Sequence, residues 1–402
     1  MYSIIILLKL IMEDPKMILI KNGLVKTMVG EDIENGQILI DGKKIVAVGK
    51  EVNAPADVEV IDATGCIVTP GLIDGHCHVG MMEEGIGFEG NDVNEITDPI
   101  TAQLRAIDAI NPMDEAFANA VAAGVTTSVT GPGSANVVGG TFLAMKNVGK
   151  RIDDMIIKNP VAMKCAFGEN PKRCYNGKGR SPSTRMATAA TLRTFLAKSQ
   201  RYMEELEEAE KNGTKKPAFD AQLEAMLPVM RKEIPLKAHA HRADDIFTSI
   251  RIAKEFGLKI TLDHCTEGHL IVDELVAEGL PALVGPSFGS KSKYELREKS
   301  FKTPGILNKA GMLICIITDA NVIPLEQLPM CAGMAVKAGM DEAEAWKAIT
   351  INPAKIIGID DTVGSLEVGK DADIAIYCGN PLTNIDYQTK YTLIDGKVVY
   401  KA

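Results

Sequence analysis

Six histidines occur in this 402-residue chain, and all but one gather in three places: His76 with His78, His239 with His241, and His264. Side chains alternate faces along a β-strand, so histidines at i and i+2 project to one side and can grip one ion. Each group ends a short apolar run, and a further apolar run, residues 311–318, ends in Asp319. An ionised carboxylate beside a buried strand is costly unless a cation or a hydrogen-bond donor meets it. Neutral imidazoles with one carboxylate form a ligand set for zinc or a similar divalent ion that keeps one position open for water. Such an ion lowers the pKa of its water and polarises a carbonyl, and Asp319 takes the proton and passes it to a leaving nitrogen. That chemistry belongs to a hydrolase; the competing reading of Asp319 is a helix N-cap.

The elements that must position these residues are short strands separated by helical stretches. Apolar runs at 72–76, 125–130, 141–146, 161–167, 236–241, 260–264, 282–286 and 312–319 predict an α/β fold, a (β/α)8 TIM barrel over residues 71–357. In that architecture the chemistry sits at the C-terminal strand ends, where Asp319 and every histidine but His269 fall. On either side of the barrel, β-rich runs are broken by Asp41-Gly42 and Asp395-Gly396, which mark hairpins. Neither end has enough strands to stand alone, so residues 17–70 and 358–402 are expected to join in one small composite β-sandwich domain. Residues 1–16 read as an extension that is not part of the fold, and their apolar run is too short to span a bilayer. Residues 202–211 predict a charged helix with one apolar stripe and a solvated face.

The fourth predicted strand carries Lys164 among apolar residues, where the neutral amine is favoured over the ammonium. A neutral buried lysine can add carbon dioxide to become a carbamate, an anion able to bridge two metal ions. Pairing of Lys164 with an acid such as Asp319 is the competing reading, and Glu169 at the strand's end is an alternative metal bridge. Arg173 and Tyr175, in the loop that follows, are suited to gripping a substrate carboxylate, and His269 is placed to line the same pocket. A net charge of −9 argues against a nucleic-acid partner. The glycine-rich residues 131–140 lack the Lys-Ser/Thr of a phosphate loop. The eight cysteines are scattered with no C-x-x-C pair, the usage of a reducing cytosol, so a cytoplasmic protein with no membrane partner is expected. Cys77, between two histidines, is turned to the opposite strand face.

Residues 68–78, with His76-Cys77-His78 at their end, resemble the first-strand signature of the amidohydrolase superfamily of metal-dependent (β/α)8 hydrolases. Residues 350–355 and 364–373 resemble its C-terminal return to the β domain, and the similarity covers nearly everything after residue 16. Residues 236–241 and Asp263-His264 are most similar to the branch holding imidazolonepropionase and the prolidase-like dipeptidases. The resemblance implies His239 and His264 as ligands beside His76, His78 and Asp319, with His241 either replacing His239 or touching substrate. It also implies one or two divalent ions, most simply zinc, a carbamate on Lys164 in the two-ion case, and self-association into a homo-oligomer. The expected activity is hydrolysis of an amide C–N bond, linear and dipeptide-like or cyclic, in a small carboxylated substrate. One alternative is a deaminase of a heterocycle, which usually places a Glu near the fifth-strand histidine, whereas Arg242-Ala243-Asp244-Asp245 follows here. A non-catalytic assembly protein on the same fold is the other.

Overall fold

The computed structural model describes residues 17–402, so the expected extension over residues 1–16 lies outside the described residues. The chain opens with strands β1 (Ile18–Val25), β2 (Ile33–Asp41), β3 (Lys44–Gly49), β4 (Glu59–Asp62) and β5 (Cys66–Pro70). It continues through β6 (Leu72–Cys77), β7 (Val125–Thr130), β8 (Val138–Lys146), β9 (Ile156–Ala166), β10 (Leu236–Ala240), β11 (Ile260–His264), β12 (Ala282–Val284) and β13 (Ile314–Ile316). It closes with β14 (Ile374–Cys378), β15 (Gln388–Ile394) and β16 (Lys397–Lys401).

The two chain ends build one eight-stranded sheet, ordered β16-β15-β14-β5-β1-β2-β3, with β4 also paired to β1. The sheet forks at β1, which pairs with β2 along one edge while its other edge is shared by β4 and β5. Ile20, Ile38 and Val68 from the first arm meet Ile374 and Leu393 from the last in a single core, all of them fully buried. Neither end therefore hides its apolar face without the other. The Asp395-Gly396 turn joins β15 to β16 with both residues left-handed, φ 51° and 71°, as a two-residue hairpin requires. A Cβ on residue 396 would lie 2.0 Å from the Gly42 carbonyl oxygen, so the tips of the two hairpins touch only because glycine stands there.

The second sheet is the barrel, ordered β6 to β13 without a break. It nearly closes between β13 and β6, which do not pair as strands: past their ends the His78 N–H donates to the Ala320 carbonyl at 2.6 Å, and the Asp74 carboxylate of β6 accepts from the Thr318 N–H at 3.0 Å. Uniform strand–helix alternation fails at one place. β8 runs antiparallel to both β7 and β9, where a parallel third strand was expected. A parallel return needs a crossover of a dozen or more residues, and only residues 131–137 and 147–155 flank β8. The eighth strand is also shorter than its apolar run, ending at Ile316 so that Asp319 stands beyond it. The charged helix is part of Arg185–Asn212, and its Tyr202 and Leu206 stripe packs on Leu227 as the pattern predicts. Among the described residues no helix is long and apolar enough to cross a membrane.

Reversal of β8 carries its last residue, Lys146, to the rim opposite the histidines, against the chain-end sheet. The Lys146 ammonium lies 2.6 Å from Asp373, 3.0 Å from Asp371 and 3.3 Å from Asp395, in a nearly dry setting. Removing the cation leaves the buried Asp373 facing two partly buried carboxylates, Asp371 and Asp395, which Lys44 and Lys43 also reach. Lys146→Met is expected to destabilise the protein by about 3 kcal/mol, read as a lower denaturation midpoint. An unchanged midpoint would show that the two sheets dock without this network.

Candidate metal centre

Four histidines enter the barrel mouth with their ring orientation set by a neighbour. The His78 Nδ1 lies 2.7 Å from the Gly131 carbonyl and the His264 Nδ1 lies 2.8 Å from the Gly285 carbonyl. A carbonyl only accepts, so both Nδ1 atoms carry the proton and both Nε2 lone pairs face inward. His76 Nδ1 donates to the Asp263 carboxylate at 2.5 Å, and His241 Nδ1 meets the Thr266 hydroxyl at 2.8 Å. This is the orientation that metal-binding imidazoles receive from groups behind them. The inward atoms converge: His78 Nε2 and His76 Nε2 stand 3.1 and 3.5 Å from the Asp319 carboxylate. His239, His241 and His264 each offer a ligand atom within 4.8 Å of the others, and so do His76, His264 and Asp319. Two potential ligand sets therefore share His264. His239 and His241, expected to divide ligand and substrate duties, stand in the same set with ring centroids 4.6 Å apart.

Electrostatics suit ligation. Burial holds the His76, His239 and His241 imidazoles well below their ordinary pKa, reinforced at His76 by the ammonium groups of Lys164 and Lys237. Burial brings His264 down to about 4. All four are neutral at pH 7 and keep a lone pair to give. Burial alone would raise the Asp319 carboxyl, but His264, His78 and His76 around it hold it below the usual carboxylate range. His264 Nε2 and His239 Nδ1 are buried and without a hydrogen-bond partner, a costly state that a divalent cation would relieve. The donor set fits zinc or a similar ion.

Two of these residues reach the site through backbone that strand alternation does not foresee. His264 has φ 71° and Asp319 has φ 54°, left-handed conformations that for non-glycine residues cost about 1–3 kcal/mol each. At His264 the reversal lets consecutive residues both face the interior. Asp263 contacts His76 and Lys237, while His264 turns toward Asp319.

Two lysines lie fully buried side by side, Lys164 on β9 and Lys237 on β10, in register. Their ammonium groups stand 5.5 and 5.3 Å from the centroid of the Phe142 ring, which the antiparallel β8 supplies. A Cβ on residue 131 would meet that ring at 2.3 Å, so Gly131 is what allows Phe142 beneath the site. Lys237 has partners, 3.0 Å from the Asp263 carboxylate and 3.1 Å from the Gly75 carbonyl. Lys164 instead lies 3.2 Å from His76 Nε2, and burial brings its amine down to about 8. The pairing with an acid weighed for Lys164 is not made: Asp263 pairs with Lys237, and Asp319 faces His78 and His76. Lys237 and Asp263 lie in motifs that the sequence shows but received no role there, although Lys237 precedes His239 by the same two-residue step that aligns His239 with His241.

The expected substrate-gripping residues lie elsewhere. Tyr175 is fully buried and donates its hydroxyl to the Asp98 carbonyl at 2.7 Å, so it does not face a substrate. Arg173 is exposed on the helix Glu169–Asn176 and does not line the cavity. His269 contacts the Thr303 hydroxyl at 3.0 Å, also outside the cavity. Glu169 stands in neither ligand set; its carboxylate accepts from the Glu295 N–H at 3.1 Å, while Glu295 accepts from the Glu169 N–H at 2.8 Å. This clasp fastens the loop after β12 to that helix. Lys293, on the same loop, lies 2.7 Å from the Glu295 carboxylate and donates to Asn170 at 2.8 Å. Loop residues carry no periodic signal, so nothing in the sequence pointed to this group.

Residues 67–399 match the model of the amidohydrolase family. The chain belongs to the amidohydrolase family. It is a hydrolase acting on carbon–nitrogen bonds, and the amidohydrolase fold accounts for both sheets. The crystal structure of an amidohydrolase from Thermotoga maritima MSB8 is similar to it with a TM-score of 0.93 and 40% identity, covering 96% of this chain and 100% of that one. Imidazolonepropionase of Fusobacterium nucleatum subsp. nucleatum is 27% identical over 94% of this chain and 95% of its own length. Amidohydrolase tasK of Hapsidospora irregularis is 27% identical over 86% of this chain, which spans only 38% of that longer protein. A Xaa-Pro dipeptidase with bound methionine shares the fold, with a TM-score of 0.56 and 18% identity over 96% of this chain and 100% of that one.

Proposed function

We propose that this amidohydrolase cleaves the amide C–N bond of a small carboxylated substrate, with Asp319 as general base and then general acid. The observation that carries the reading is the charge of the cavity over the histidines, about 460 Å³ in volume. Lys293 and Lys299 line it, and Asp319 is the sole acid among its lining residues. Lys293 is steadied by Glu295 and Asn170, and Lys299 by the Phe288 and Ser290 carbonyls. These two ammonium groups take the place foreseen for Arg173 and Tyr175.

A divalent ion held by His76, His78, His239, His241, His264 and Asp319 would lower the pKa of a water and polarise the scissile carbonyl. Asp319, already ionised, accepts the proton of the attacking water and returns it to the leaving nitrogen. Lys293 and Lys299 hold the carboxylate and so orient the amide toward Asp319. The shared position of His264 supports two ions, and Lys164, brought down to about 8 by burial and without an acid partner among the described residues, would hold both of them as a carbamate. Zinc is the ion that best suits this ligand chemistry.

The match to imidazolonepropionase along almost its whole length supports a cyclic amide as the first substrate class to assay, ahead of dipeptide-like linear amides. A Glu does approach the fifth-strand histidine, Glu295 at 3.7 Å from His241 Nε2, as a heterocycle deaminase would want. Its carboxylate is engaged by Lys293 and the Glu169 N–H, which leaves hydrolysis the better reading. Zinc-loaded protein should be assayed on cyclic and linear amides bearing a free carboxylate and on the same compounds capped as carboxamides. Free carboxylates are expected to be preferred by roughly tenfold or more, and Lys293→Met should raise KM for them by a similar factor while sparing the capped forms. Equal kcat/KM for capped and uncapped substrates would remove the carboxylate from the reading.

A further inference from the structure

Cys66 and Cys378 are 312 positions apart in the chain, yet they are directly opposite one another in the antiparallel pairing of β5 with β14. Residues so placed have Cα atoms about 4.5–5.5 Å apart, inside the window that a disulfide spans. Side chains of an opposed pair leave the sheet on the same face, and here the two sulfurs touch at 2.7 Å. Cys66 is buried and Cys378 reaches solvent in part. Neither residue lines the active-site cavity.

We propose that Cys66 and Cys378 form a reversible disulfide that staples the first and last segments of the chain-end sheet, with a small-molecule disulfide as oxidant. Burial pushes the Cys66 thiol up to about 12, so the first attack falls to the more accessible Cys378. The Cys378 thiol gives up its proton and its sulfur attacks the small disulfide R–S–S–R, breaking that bond and forming a mixed disulfide. The departing thiolate takes a proton and leaves as R–SH. Cys66 then loses its proton and attacks the Cys378 sulfur, forming the cross-strand bond and expelling the second R–SH. Two chain thiols are oxidised and one R–S–S–R is reduced to two R–SH.

The position gives the bond its consequence. β5 runs through Gly71 directly into β6, which ends at the His76 pair, and β14 follows the last barrel helix, Ile351–Ile357. A staple here closes almost the whole barrel into one covalent loop, which restricts the unfolded chain most when the loop is long.

The test uses the full chain incubated with oxidised glutathione, alkylated in denaturant and mapped by mass spectrometry, with the thermal midpoint measured in parallel. The expected result is a peptide pair linked through Cys66 and Cys378 in most molecules, with a midpoint raised by roughly 5 °C that falls back on reduction. Cys66→Ser should stop at glutathione on Cys378 and show no rise. Recovery of both cysteines alkylated, linkage to other cysteines, or glutathione resting on Cys378 of the unsubstituted protein overturns the disulfide. A linked protein with an unchanged midpoint overturns the staple.

Discussion

Asp319→Asn is expected to lower turnover by about 10³-fold at saturating zinc while leaving the circular dichroism spectrum and the thermal midpoint close to those of the unsubstituted protein. The change is nearly isosteric, and the amide can still reach His78 and His76, which stand 3.1 and 3.5 Å from one Asp319 oxygen. What it removes is the negative charge and the site that accepts a proton. Asp319 is the sole acid among the described residues that line the cavity, and the nearby Glu295 carboxylate is engaged by Lys293 and the Glu169 N–H. Activity should be measured across a zinc titration, because the same substitution weakens one ligand. A deficit that extra zinc abolishes would assign Asp319 to ligation alone, and undiminished hydrolysis would exclude it from the reaction.

The second large effect concerns Lys164. Protein purified without chelator is expected to bind two equivalents of metal, and Lys164→Ala one or none, with turnover reduced in parallel. Two buried lysines share one aromatic ring, but Lys237 is neutralised by Asp263 and Lys164 is not. Only an amine free of its proton adds carbon dioxide. Burial brings Lys164 to about 8, so the reactive form increases as pH rises through that value, and reconstitution of metal-free protein should run faster at about pH 9 than at about pH 7 when dissolved carbon dioxide, not total bicarbonate, is held equal. Metal content of one equivalent in both proteins, or equal reconstitution rates at the two pH values, would rule out the bridge.

Some physical rules carry further than others from this sequence to its fold. Strand alternation anticipated that the rings of His76 and His78, 5.3 Å apart, and of His239 and His241, 4.6 Å apart, lie together, because a side-chain period of two holds wherever the strand is regular. It failed at His264 and Asp319, whose left-handed backbone re-aims them, and so it concealed Asp263 as the partner of His76. The antiparallel β8 was readable in principle from its short flanking segments, but apolar runs alone do not reveal direction. Tyr175 looked like a substrate contact because its loop, rich in glycine and cations, follows the fourth strand; packing instead buries it against the Asp98 carbonyl. Scattered cysteines with no C-x-x-C pair suggested a reducing setting and no pairing, yet Cys66 and Cys378 meet because two chain ends form one sheet.

By itself the sequence determined the barrel with its appended β domain, the set of histidines and Asp319 able to hold a metal, and hence a hydrolytic chemistry. These follow from local patterns, the period of two along strands and the cost of burying an unmatched charge. Only the tertiary structure decided which buried lysine has an acid, which loop supplies the cations over the site, and that two ligand sets share His264. Those outcomes depend on contacts between residues far apart in the chain, which no local pattern encodes.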